Sequence, residues 1–167
     1  MMLWILICVI KRPGYEIERF VHMKTLNTTM QKFGAPDSII QQFSYWSVLL
    51  RPAQTTLGAL VLIAHEPVQT FSALSATSFA ELQLVTGQIE SALNKAFQYD
   101  KLNYLMLMMI DPDVHFHVIP RYAQNQQFNG LVFVDTGWPG QPTLDRINPT
   151  DAATNQLLRE RLLSCWG

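Results

Sequence analysis

The run DPDVHFHVIPRY, residues 111–122, limits the fold more than any other stretch, because polar and apolar side chains alternate through its centre with a period of two. That period belongs to an extended strand, in which successive side chains point to opposite faces. Val114, Phe116 and Val118 make one row, which seeks a core. Asp113, His115 and His117 make the other, at intervals of roughly 6.6 Å. A sheet is implied, with a helix over its Val/Phe/Val face and the acid and both imidazoles on the opposite face.

The other elements follow from local pattern. A short helix is expected over about residues 24–33, stopped by Gly34 and Pro36. Residues 45–50 (YWSVLL) and 58–64 (GALVLIA) have the content of strands and form an antiparallel hairpin through a turn-rich loop, with Gly58 letting the backbone turn tightly. Ser78 and Glu81 read as an S-x-x-E capping box, and Leu82, Val85, Ile89, Leu93 and Ala96 recur at helical spacing, giving a helix over roughly 79–97. The apolar run LNYLMLMMI is read as a strand, broken by DPD before the strand VHFHVIPRY, and FNGLVFVD from Phe128 as one more. Asn148 and Pro149 start a last helix, AATNQLLRERLL. Five strands with a central and a C-terminal helix read as α+β with an antiparallel sheet.

A chain of 167 residues, 49% hydrophobic and 15% charged, is expected to form one globular domain. Its net charge of -1 offers no basic field to nucleic acid. The apolar opening MMLWILICVI stops at Lys11, short of the roughly 20 residues that cross a bilayer, so neither a nucleic-acid nor a membrane partner is expected. Cys8 and Cys165 fit no disulfide framework or Cys-based zinc spacing and are read as free thiols in a reducing, cytoplasmic compartment. Every chemical signal lies after Met23, so residues 1–22 are read as an N-terminal extension, with a buried strand or an uncleaved export-like segment as the other readings, and 23–167 as the domain.

A lone histidine on a strand is more often a hydrogen-bonded structural residue than a functional one, and His22 and His65 are read so. Two in register with an acid are harder to dismiss. Asp113, His115 and His117 would ligate zinc or iron, given a further ligand from elsewhere or water. Alternatively, one imidazole is a nucleophile and its neighbour holds a phosphate.

The run VHFHVIPR resembles the active-site strand of the histidine triad (HIT) family, whose motif is His-φ-His-φ-His-φ-φ with φ apolar, often followed by Pro-Arg. Asp113 stands at the first histidine position, His115 at the middle and His117 at the last. The likeness extends over most of the chain after about Tyr45: the hairpin with its glycine, Pro67-Val68 before the central helix, an apolar strand, then the motif strand. It implies an antiparallel half-barrel with helices, usually a homodimer. It further implies a hydrolase or nucleotidyl transferase acting on dinucleoside polyphosphates such as diadenosine tetraphosphate, or on nucleotide phosphoramidates, without metal or cofactor. In that reading His115 attacks the α-phosphorus, His117 bonds the phosphate oxygens, and the Asp113 carboxylate stands in for the orienting histidine.

The sequence departs from the family pattern elsewhere too. Only Asp111-Pro112-Asp113 separates the two strands where many members have a longer glycine-containing loop, and Leu50, followed by Arg51, falls where a polar residue often touches the ribose. Arg121, whose guanidinium fork matches phosphate, and Gln54 and Thr56 in the hairpin loop are the remaining substrate-binding candidates, with a solvated turn as the rival reading for the loop. Two alternatives stand beside the enzyme: a non-catalytic nucleotide-binding module of the same fold, and a metal-dependent enzyme using Asp113, His115 and His117. Chemistry on His115 requires its ring to face an open pocket.

Overall fold

The structure, a computed structural model, describes residues 26–167. The readings of residues 1–22, of His22 and of Cys8 lie outside the described residues. A short helix α1 (Thr28–Lys32) precedes strands β1 (Ile39–Gln42), β2 (Trp46–Leu50) and β3 (Leu60–Ala64). The long helix α2 (Ala76–Phe97) leads to β4 (Lys101–Leu105) and β5 (His115–Arg121), then the small strands β6 (Gln126–Phe128) and β7 (Leu131–Phe133), and finally α3 (Ala152–Cys165). The result is the expected α+β architecture, a five-stranded antiparallel sheet in the order β1-β2-β3-β5-β4 with helices against it.

Every residue of β2 and β3 is buried, because both faces of the sheet's centre are covered. One face carries Trp46, Val48, Leu50, Leu60, Leu62, Val114 and Val118, packed with Val85, Ile89 and Leu93 of α2 and with Leu158 and Leu162 of α3. The other carries Leu49, Val61 and Ile63 under Met30 of α1. Each of these side chains contributes about 1.5–3 kcal/mol on burial, so a register slip of one residue, which would turn the row containing His115 and His117 into the larger core, is strongly disfavoured. Gly58 lies at φ +79, and a Cβ there would meet the Phe97 ring at 2.6 Å, so the hairpin closes only with glycine.

Four local expectations are corrected. The cap of α2 is Ser75, whose side chain accepts from the Ser78 N–H; Ser78 is buried inside the helix, and Glu81 instead accepts from the N–H groups of Ser44 and Tyr45 at the β1–β2 turn. The run after Asn103 leaves the sheet at Leu105, and Met109 and Ile110 are 94% and 84% exposed. FNGLVFVD is no fifth strand: Asn129 and Gly130, both at positive φ, fold it into a separate β6–β7 hairpin, while β1 completes the sheet. The last helix is capped by Asp151 rather than begun at Asn148, whose buried amide donates to Gln54, Thr55 and Val134 carbonyls.

Candidate active site

Strand alternation on β5 turns His115 and His117 away from α2. Ile63 lies opposite His115 and Val61 opposite His117, with Leu49 opposite Val61, so both imidazoles share the face that α1 covers. Their rings stand nearly perpendicular at 5.2 Å between centroids. Phe33, just past α1, sets its ring edge-on to His117 at 5.7 Å and tilted to His115 at 6.2 Å.

The His115 Nδ1 lies 2.7 Å from the backbone carbonyl of Asp113. A carbonyl only accepts, so Nδ1 carries a proton, and in the neutral tautomer this selects, the lone pair sits on Nε2. That Nε2 is buried and has no hydrogen-bond partner. A stranded acceptor of this kind costs about 1–3 kcal/mol. The expected open pocket is not found: His115 is 0% exposed. Two surface depressions of about 460 and 450 Å³ lie elsewhere, one along α2 at Leu84 and Gly87 and one against Lys95, Gln98 and Arg161.

His117 is also buried, with Nδ1 unpartnered. Burial first, then the neighbouring His115, Arg51 and Lys32, push its pKa down to about 4, against an upward pull from Asp111. Its ring is therefore neutral near pH 7 and can offer a phosphate one N–H but no charge.

Asp113 does not orient an imidazole through its carboxylate. Its Oδ2 accepts from the Thr29 N–H at 3.1 Å, the Thr29 hydroxyl at 2.7 Å and the Thr28 hydroxyl at 3.3 Å, so the side chain grips the start of α1. Lys32 pairs with Asp111 at 2.5 Å, and Asn27 donates to the Ala64 carbonyl at 3.0 Å. Together these fasten α1 across the histidine face. Among the described residues no three His, Cys, Asp or Glu side chains gather where they would hold an ion, and the Asp113 carboxylate is turned to Thr28 and Thr29.

The other candidates are structural in this arrangement. Arg121, in the same alternation set as the histidines, is buried with its guanidinium divided among both Asp135 carboxylate oxygens, Asn103 Oδ1 and the Gly140 carbonyl. Gln54 is neither solvated nor free: its amide donates to the Arg51 and Ala59 carbonyls and accepts from the Gly58 and Ala59 N–H groups. Thr56 lies in the same buried turn with its hydroxyl unpartnered. His65 bridges Ser47 and the Ser44 carbonyl, as a structural histidine would. Sequence reasoning missed Arg51, which continues the Ser47, Leu49 alternation of β2 onto the histidine face; counting parity along that strand would have found it.

No protein-family model matches the sequence, and no curated protein matches it. Solved structures do. A histidine triad protein of Sinorhizobium meliloti superposes with a TM-score of 0.67 at 20% identity, over 86% of this chain and 97% of that one. A histidine triad protein of Bradyrhizobium japonicum gives 0.65 at 20% identity, over 86% and 98%. Diadenosine triphosphate hydrolase of Plasmodium falciparum gives 0.56 at 10% identity, over 77% and 76%. At such identities the likeness is one of architecture, and the α+β sheet and helices described above are the fold of histidine triad proteins.

Proposed function

We propose that the chain is a HIT-family nucleotide hydrolase or nucleotidyl transferase, acting on dinucleoside polyphosphates such as diadenosine tetraphosphate or on nucleotide phosphoramidates, as a cytoplasmic homodimer. The observation that carries this reading is the His115 ring, whose tautomer is set by the Asp113 carbonyl so that an unengaged lone pair remains on Nε2. In the reaction Nε2 forms a bond to the α-phosphorus while the bond from phosphorus to the leaving-group atom breaks, and the leaving phosphate or amine takes the electron pair. Water, or another acceptor, then attacks the nucleotidyl-histidine, loses its proton to solvent and returns the ring to its starting form. The Asp113 carbonyl stabilises the charge that Nδ1–H shares during attack, and His117 donates a hydrogen bond to a non-bridging oxygen. Reaction requires α1 to move, because His115 is fully covered.

Brief incubation with diadenosine tetraphosphate carrying a labelled α-phosphate, followed by denaturation, should trap acid-labile label on the wild type and none on His115→Ala, with EDTA without effect. A chain that turns over without trapped label, or a labelled His115→Ala, refutes the mechanism. The burial of His115 favours a second reading, a nucleotide-binding module without turnover, which nucleotide binding by calorimetry with no product would support.

A further inference from the structure

Arg51 follows the last residue of β2 and, among the described residues, is a cation without a counter-ion. Among the described residues the ion pairs are Lys32–Asp111 and Arg121–Asp135, and neither includes Arg51. One guanidinium nitrogen, Nη1, donates to the Ala53 carbonyl, while Nε is buried without a hydrogen-bond partner. Taking a guanidinium from water with no anion beside it is unfavourable, and an anionic ligand relieves it. Its position follows from the register: Leu49 faces Val61, Val61 faces His117, and Arg51 is the next residue of β2 on that side, its N–H bonded to the Ala59 carbonyl at 3.0 Å.

We propose that Arg51 is the phosphate-holding residue of this site, its free guanidinium N–H groups gripping the non-bridging oxygens of the nucleotide phosphate that His115 attacks. The assignment rests on the function proposed above and names the group that carries the anion's charge. His117 does not carry it, being held neutral, and part of what holds it neutral is the nearby Arg51 charge itself. Guanidinium suits the task because its planar fork meets two phosphate oxygens at once.

Calorimetry with AMP, adenosine and inorganic phosphate on the wild type, Arg51→Gln and Arg51→Lys tests it. Arg51→Gln should bind AMP about tenfold to a hundredfold more weakly and adenosine unchanged, with Arg51→Lys recovering part of the loss. In the same variant the His117 ring should titrate at higher pH by NMR, a change that loss of a remote structural contact would not produce. An unaltered AMP to adenosine preference in folded Arg51→Gln, or in Arg51→Lys if the glutamine variant does not fold, overturns the assignment. The two readings fail separately. Label trapped on His115 with unchanged KM in Arg51→Gln removes Arg51 and keeps the enzyme; phosphate binding that depends on Arg51 with no label trapped on the wild type removes the enzyme and keeps Arg51.

Discussion

Replacing Asp113 by alanine should unfasten α1 without unfolding the sheet. The carboxylate accepts three hydrogen bonds from Thr28 and Thr29, all on Oδ2, so their contributions are not additive, and the one at 3.3 Å to exposed Thr28 is the weakest. A hydrogen bond to a charged group contributes about 1.5–3 kcal/mol, and a negative charge beside the first turn of a helix adds a few tenths more. For a half-buried carboxylate with one strong and one good bond, about 2 kcal/mol of α1 docking is a fair sum, or about a thirtyfold rise in the opening constant. Hydrogen exchange reads that constant directly. The informative amides are those of Gln31, Phe33 and Ala35, which donate to the Asn27, Thr29 and Met30 carbonyls within the segment and are freed because a helix of five residues unravels once it leaves the sheet. They should exchange about thirtyfold faster in Asp113→Ala, with β3 and β5 amides unchanged, and diethyl pyrocarbonate should reach His115 faster by a similar factor. Unchanged α1 exchange, or equal acceleration in β3, would refute the coupling between Asp113 and access to the nucleophile.

The buried His117 predicts a pH dependence with a definite sign. Its pKa falls from 6.5 in the unfolded chain to about 4 in the fold, so between those values the unfolded state binds the extra proton; the neutral ring's advantage is whole above 6.5, drains away as pH falls to about 4, and totals on the order of 3 kcal/mol. Urea midpoints against pH should show that loss in the wild type, and the difference from His117→Gln should flatten across the same window if the assignment holds. Arg121→Met should cost about 3–5 kcal/mol in urea unfolding, because it leaves the Asp135 carboxylate buried without its partner, and the surviving folded protein should keep its KM; a raised KM at unchanged stability would restore Arg121 as a substrate ligand.

The centre of the sheet was legible because both of its faces are covered: runs such as WSVLL and LVLIA have little choice when every residue must be apolar or paired. The edges were not. IIQQ is a four-residue strand with one buried residue, too short to show a period. Hydrophobicity misled in the opposite sense at Met106–Ile110, where an apolar run is mostly exposed because the chain must leave β4 to bring Asp111 and Asp113 to α1. In FNGLVFVD the Asn-Gly pair was a sufficient hairpin signal that the apolar content outweighed. At the site, period-two alternation correctly put His115 and His117 on the face away from α2. Covering that face with α1 depends on contacts between residues 84 and 85 positions apart, Thr29 and Thr28 with Asp113, and no local pattern encodes a pairing at that separation.

Asp113 touches the proposed nucleophile and its cover with different atoms, and that separation explains how a carboxylate can occupy the first motif position. The Nδ1 proton of His115 is fixed by the backbone carbonyl, which every residue supplies, so the tautomer needed for attack at Nε2 does not depend on the side chain at 113. The side chain is then released for another contact, and here it binds α1 through the Thr29 N–H and hydroxyl, with Lys32–Asp111 as a second fastening on the same segment. A substitution that reads in sequence as the loss of an orienting group thus leaves orientation intact and acts on access instead. On the proposed mechanism, access to His115 depends on the few hydrogen bonds that hold α1 at the edge of the site.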